Sequence, residues 1–339
     1  MKLVVLKERG STVALAVLGV FTILLIAVLA FVFISVSEGR LLITAFFAFF
    51  LLIMFSGLYV LMKKRGEYRR AESFAGLSGF SDSGLTFPEE LEFETGTLEM
   101  RGYWVGSGRN RSYHVERNFL PGKRERASKV PFMSSPFKVA VSPDGTGFVK
   151  APAVRITDEP YKNIVVLFFT DEGEVRGSGT VTVVTESDSA QVNYRGDGKF
   201  IAGTVYSTLT KARRVKVVLT AEGFEYEKVI GKGRSFEFRE RMLPEEKVVM
   251  VGTYGTVTPR MVAKALGGGT VLLGHGEFII RGVLDVRLRP DVRAEETFRV
   301  ELRGEEIEKG REFEEEWGSE ISDPPKERTR DKKKRQDNE

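Results

Sequence analysis

The chain has 339 residues, of which 29% are charged, and a formal net charge of +4. It contains no cysteine, which excludes disulfides, thiolate metal sites and cysteine nucleophiles. It has only two histidines, His114 and His275, so a histidine-rich metal centre is excluded as well, and a net charge this small does not argue for nucleic acid as a partner. Lys, Arg, Glu and Val are used heavily while glutamine occurs only at Gln191 and Gln336. That bias is archaeal-like and fits a hyperthermophile.

In chain order, the first elements are two uncharged runs, Ser11 to Val36 and Leu41 to Met62. Each reaches the roughly 20 residues a helix needs to cross a bilayer. A helix satisfies its own backbone in lipid and an isolated strand does not, so the pair predicts a transmembrane hairpin over residues 1–65, with helices at about 11–36 and 41–62. A cleaved signal peptide is the competing reading of the first run. Its apolar stretch is too long for that, and no small-x-small site follows it. Lys2, Lys7 and Arg9 precede the first run, Lys63, Lys64, Arg65, Arg69 and Arg70 follow the second, and the connection holds only Arg40 beside Glu38. The positive-inside rule then places both chain ends in the cytoplasm of a two-span protein of the cell membrane.

Residues 66–90, with "FAGLSGFSDSG", read as a linker. Over residues 91–303, short runs of Val, Phe, Tyr, Thr and Ile alternate with Asp-Gly and Glu-Gly turns. The fold class expected is mainly β: an antiparallel sandwich or barrel-like soluble domain, in one or two parts, carrying one short helix. That helix is "TPRMVAKALGGG", with Thr258 as N-cap, Pro259 in the first turn and Gly267 just past the end. Residues 304–339, acidic and then basic, predict a charged disordered tail. Its Lys332, Lys333, Lys334 and Arg335 are candidate contacts to anionic lipid headgroups.

The motifs that could carry chemistry are short. "DGTG" at Asp144 to Gly147 resembles a phosphate loop only in its glycines. A β-prone "FVKAPAVRI" follows it instead of a helix, so it reads as a hairpin turn. The G-x-G pairs at Gly106, Gly177 and Gly231 read as turns or bulges. Asp144, Asp158 and Asp171 read as turn residues, and both histidines as surface or turn residues. The most binding-like stretch is "GYWVGSGRNRSYHVER". Its candidate interaction residues are Tyr103, Trp104, Arg109, Arg111 and Tyr113, since aromatic and guanidinium groups together can hold nucleic acid by stacking and charge or form a protein contact hot spot. The plainer reading is a hairpin with Trp104 in the core and the arginines at an exposed tip. The residues name no catalytic group, cofactor or metal ligand.

The segments Pro136, Phe137, Asp144, Gly145, Gly147, Pro152 and Leu243, Pro244, Val249, Gly252, followed by Gly276 to Gly282, resemble the GIDE module of membrane-bound E3 ubiquitin ligases and their prokaryotic relatives. The resemblance covers at most Gly96 to Gly282, with Asn163 to Gly231 as extra hairpins inside it. It implies a membrane-adjacent β module. The RING finger of those ligases needs cysteine ligands, so ligase activity does not carry over.

The functional expectation is a membrane-anchored, non-enzymatic interaction or scaffold module. Its partners would be the bilayer, another membrane protein or a second copy, with neither nucleic acid nor a small-molecule substrate. Two alternatives stand beside it. One is a hydrolase-like enzyme acting at the membrane surface. The other is a cell-surface β protein of inverted topology, for which "NRS" at Asn110 would be a glycosylation sequon.

Overall fold

The computed structural model describes residues 1–7, 11–35, 40–81, 83–287 and 289–303. The chain divides into two units, Met1–Glu301 and Leu302–Glu339, and among the described residues the helices and strands belong to the first. The expected tail and its Lys332 to Arg335 lie outside the described residues.

The chain begins with β1 (Lys2–Val5), α1 (Ser11–Ser35) and α2 (Arg40–Leu77). Next come β2 (Gly79–Ser81), β3 (Gly84–Val105), β4 (Ser112–Pro131), β5 (Lys138–Val141), β6 (Gly147–Ile156) and β7 (Ile164–Phe169). Then follow β8 (Glu174–Arg176), β9 (Ser178–Val184), β10 (Ser189–Asp197), β11 (Phe200–Thr208), β12 (Ala212–Ala221), β13 (Lys228–Gly233) and β14 (Phe236–Arg241). The last elements are β15 (Val248–Thr253), α3 (Pro259–Leu266), β16 (Val271–Gly274), β17 (Gly276–Val286) and β18 (Val292–Glu301). The fold is mainly β, as its alternating pattern predicts.

Two apolar helices and a β-rich domain fit a membrane-anchored β protein. Along α1 and α2, large apolar side chains face outward, Phe21 and Phe31 at 62% and 69% exposure among them. In water that surface would be strongly unfavourable, and in hydrocarbon it costs nothing. Where the helices meet, Gly57 leaves room for Leu18, since a Cβ there would stand 3.3 Å from the leucine methyl.

α2 does not stop where its apolar run stops. Thirty-eight residues at about 1.5 Å each make it nearly twice as long as a bilayer core is thick. Past Met62 it becomes amphipathic, and Tyr68, Ala71, Phe74 and Ala75 are buried at helical spacing. Residues 66–77, expected as linker, are therefore the end of this helix, and 79–81 and 84–90 are strand. The Phe and Ala in that glycine- and serine-rich stretch have a sheet to pack on, which the local composition does not reveal.

A nine-stranded sheet carries the order β1-β15-β7-β6-β3-β2, with β4 on β3 and β5 bridging β6 and β16. Its central strands, "IVVLFF" and "VVMVGT", are buried throughout. Val165, Leu167, Phe169, Val248 and Met250 point into one core. Their neighbours Val166, Phe168, Val249 and Val251 point into a second, shared with Phe74 of α2. Both faces of the sheet are covered, so these strands read as continuous apolar runs. The first core is closed by a five-stranded sheet, β13-β12-β17-β18-β8, and a four-stranded sheet, β14-β11-β10-β9. At one meeting point of these two, Gly282 faces Val181, Val183 and Val192, and a Cβ there would come within 3.0 Å of Val183.

One pairing departs from the antiparallel expectation. β1 runs parallel to β15, with Lys2 opposite Val248 and Val5 opposite Val251. Lys2 N donates to Lys247 O at 2.9 Å and Leu6 N to Val251 O at 2.8 Å. The residues before α1 and those after α2 thus belong to one sheet. The run from Asn163 to Gly231, which the sequence suggests as extra hairpins, begins with β7, which pairs with β6 and β15 in the middle of that sheet.

Candidate functional site

"DGTG" belongs to a hairpin between β5 and β6, whose three-residue loop is Pro143, Asp144 and Gly145. Ser142 N donates to Thr146 O at 2.8 Å and Gly145 N to Ser142 O at 3.0 Å. Gly145 takes φ +91°, the left-handed position this loop type requires. Asp144 is fixed by its own turn: Ser142 Oγ donates to it, and Thr146 N donates to its Oδ1 at 3.0 Å. Those donors, the Ser142 hydroxyl foremost, hold its carboxyl below the usual carboxylate range against the opposing effect of burial.

The tip of the β3–β4 ribbon stands beside this loop. Trp104 Nε1 donates to Asp144 O at 3.2 Å and Tyr113 Oη to Gly145 O at 2.7 Å. The Trp104 and Tyr113 rings meet at 5.2 Å. Burial pushes the Tyr113 hydroxyl up from its ordinary value. Trp104 is 37% exposed, so it is a partly covered surface residue and not the core residue that the plainer sequence reading expects.

Below the tip, the register puts Glu99, Arg101 and Tyr103 of β3 on one face with Glu116 and Asn118 of β4 and with Phe148 and Lys150 of β6. Tyr103 Oη donates to Glu116 Oε1 at 2.5 Å, and this bond raises the Tyr103 pKa. Lys150 pairs with Glu99 at 3.1 Å. The segment Glu222 to Tyr226, between β12 and β13, walls this face. Thr220 Oγ1 pins it by donating to Phe224 O at 2.9 Å and Tyr226 O at 3.1 Å, and Lys138 Nζ holds Glu222 O at 3.2 Å. The Phe224 and Phe148 rings lie 6.0 Å apart. Sheet face, loop and wall enclose an open groove of about 1100 Å³.

Strand direction fixes which way the groove looks. β1 runs toward α1, β15 is parallel to it, β7 is antiparallel to β15 and β6 to β7. β6 therefore ends, at Ile156, on the side of the apolar helices, and starts, at Gly147 in the groove, on the far side. Nine steps along β6 separate the two ends by roughly 30 Å.

Of the residues singled out from sequence, Tyr103, Trp104 and Arg111 line the groove. Tyr113 supports it through its bond to Gly145. Arg109 lies apart, exposed in the short 3₁₀ turn at the ribbon tip. Phe148 and the wall from Glu222 to Tyr226 were not among them. The wall's alternating aromatics, in "FEYE", are a visible signal that reads from sequence as the strand after a Glu-Gly turn.

No protein-family model matches this chain, and no curated protein matches it.

The histidines separate. His114 is exposed on β4, within 2.9 Å of Ser112 Oγ and stacked on Tyr103. His275, expected at the surface or in a turn, sits in the bend between β16 and β17 and is buried at 6% exposure. Phe137 N donates to its Nδ1 at 3.4 Å, so Nε2 carries the proton and donates to Glu172 O at 3.0 Å. Gly274 and Gly276, at φ +135° and +108°, let the chain kink around it. It ties β16 to the ends of two other segments, a structural role.

The groove offers contact chemistry of mixed sign. Arg101, Arg111, Arg117 and Lys150 line it with Glu99, Glu116, Asp144, Glu222 and Glu225. Four cations against five carboxylates do not make the electropositive track a nucleic-acid backbone needs. Aromatic rings set among paired charges suit an extended polypeptide, whose side chains alternate in character.

Proposed function

We propose that this protein is a two-span membrane anchor whose β domain lies in the cytoplasm and serves as an interaction module, with the groove at Trp104 as its docking surface for a segment of a partner protein. The observation that carries the reading is the β1–β15 pairing. It ties the residues before α1 to the sheet built after α2, so the helices leave and return on one side. The basic residues flanking both helices support the cytoplasm as that side. A relation to the GIDE modules belongs to this proposal at the level of architecture alone, a β module beside a membrane.

A protease added to inverted membrane vesicles should digest the β domain, and the same protease added to intact cells should leave it whole. Digestion on intact cells would put the domain outside and sink the reading.

A further inference from the structure

We infer that the base of α2 is a binding site for anionic phospholipid headgroups, formed by Lys63, Arg69 and Arg70. The inference rests on the reading of α1 and α2 as membrane spans. Three observations carry it. First, α2 is one unbroken helix from Arg40 to Leu77, so these cations are held at set depths. Lys63 follows the last apolar residue, Met62, and Arg70 lies about 12 Å beyond it at 1.5 Å per residue. That interval covers the headgroup layer and its near aqueous edge.

Second, the helix cannot turn them away. Tyr68, Ala71, Phe74 and Ala75 are buried on the sheet side, while Lys63, Arg69 and Arg70 are exposed. Side chains lean toward a helix's N-terminus, which for α2 is the membrane side, so both arginines are aimed back at the headgroups.

Third, the three are electrostatically uncommitted. Among the described residues none of them has an ion-pair partner within 4.0 Å, whereas the nearby Glu72 is taken by Lys7 at 2.7 Å. Phosphodiester groups match the guanidinium fork, and each cation near an anionic surface is worth about fivefold in affinity. Binding would hold the β domain at a set angle beneath the bilayer with the groove turned away from it.

The test uses the full chain in lipid nanodiscs, either neutral phosphatidylcholine or the same lipid with phosphatidylglycerol. Wild type and a Lys63→Gln/Arg69→Gln/Arg70→Gln variant should both enter both discs. Failure of the wild type to enter either disc would overturn the membrane spans themselves, an outcome separate from any change in melting. The melting temperature of the wild-type β domain should rise by about 3–8 °C in the anionic discs, and that of the variant should not. A Lys63→Arg/Arg69→Lys/Arg70→Lys variant should keep most of the rise. Equal rises in wild type and the glutamine variant would overturn the inference. So would an equal rise when inorganic phosphate is added to neutral discs, since the site would then take free phosphate.

Discussion

Val4 stands opposite Met250 in parallel register, although both apolar helices and nearly all of the sheet lie between them in sequence. A four-residue strand before α1 is thereby the clasp that joins the pair of apolar helices to the β domain. The helix on the other arm is fixed independently, by Phe74 and its neighbours.

Cutting the clasp should be measurable. Val4→Pro removes a backbone donor from the middle of β1 and cannot be repaired by rotation of a side chain. Urea unfolding of the detergent-solubilised protein should show a loss of roughly 1–3 kcal/mol. An unchanged midpoint would mean that β1 contributes nothing to the sheet.

Phe74 is fully buried and touches Phe87 and Tyr161 with ring centroids at 5.7 and 5.1 Å. Phe74→Ala should cost about 3–5 kcal/mol in the same assay. Exposed Ser73→Ala, one residue away, should stay within about 0.5 kcal/mol. Equal effects at both positions would show that the end of α2 does not pack on the sheet.

Acid should loosen one particular joint. Asp188 is buried and accepts from the backbone N–H groups of Thr210, Lys211 and Ala212, closing β9–β10 onto the start of β12. Burial alone would raise this carboxyl, but the three N–H donors and the Ser187 hydroxyl outweigh it and hold it below the ordinary range. A depressed folded pKa means the contribution is complete above the unfolded value near 3.9. It is lost as pH falls through that value toward the lower folded one. Melting temperature measured from pH 7 to pH 3 should fall steeply below about pH 4 in the wild type. Asp188→Asn should melt lower at pH 7 and show a flatter acid limb. A variant with the wild-type slope would remove Asp188 from the account.

The groove loop can be tested without a ligand. At φ +91°, with Arg260 Cδ 3.1 Å from the site of an added Cβ, Gly145→Ala should destabilise the domain by about 1–2 kcal/mol. It should also blue- or red-shift Trp104 fluorescence, because Trp104 is bonded to that loop. Lost stability with an unmoved emission maximum would uncouple the loop from the tryptophan.

Docking itself has a direct readout. A photo-crosslinking amino acid in place of Phe224 should give adducts in living cells that are lost in a Trp104→Ala background. The same probe at exposed Val184, on a different sheet, should give none of those adducts. Identical adduct patterns at both positions would count against the groove.

Much of this was legible in the residues themselves. Two uncharged runs, the Asp-Gly hairpin at Asp144 and the Thr258-Pro259 helix start with Gly267 behind it are local signals, and each appears where it was expected. Thr258 accepts from Met261 N at 3.3 Å, as an N-cap should. Such signals work because turn geometry and helix capping depend on residues within a few positions of each other.

The rest depended on partners far away in sequence. "KLVV" is too short and ordinary to announce a strand until β15 lies beside it. Residues 66–77 look like a linker until a sheet covers Phe74. His275 reads as a surface or turn residue, and its burial shows only when Phe137 and Glu172 close on its two nitrogens. The groove draws on β3, β4, β6 and the 222–226 segment, which no spacing rule connects. Amino-acid order alone thus settles what each short stretch can be, because backbone and capping energetics are local. Which stretches bury one another, and so where the surface for a partner forms, is settled only when long-range packing brings separate apolar faces together.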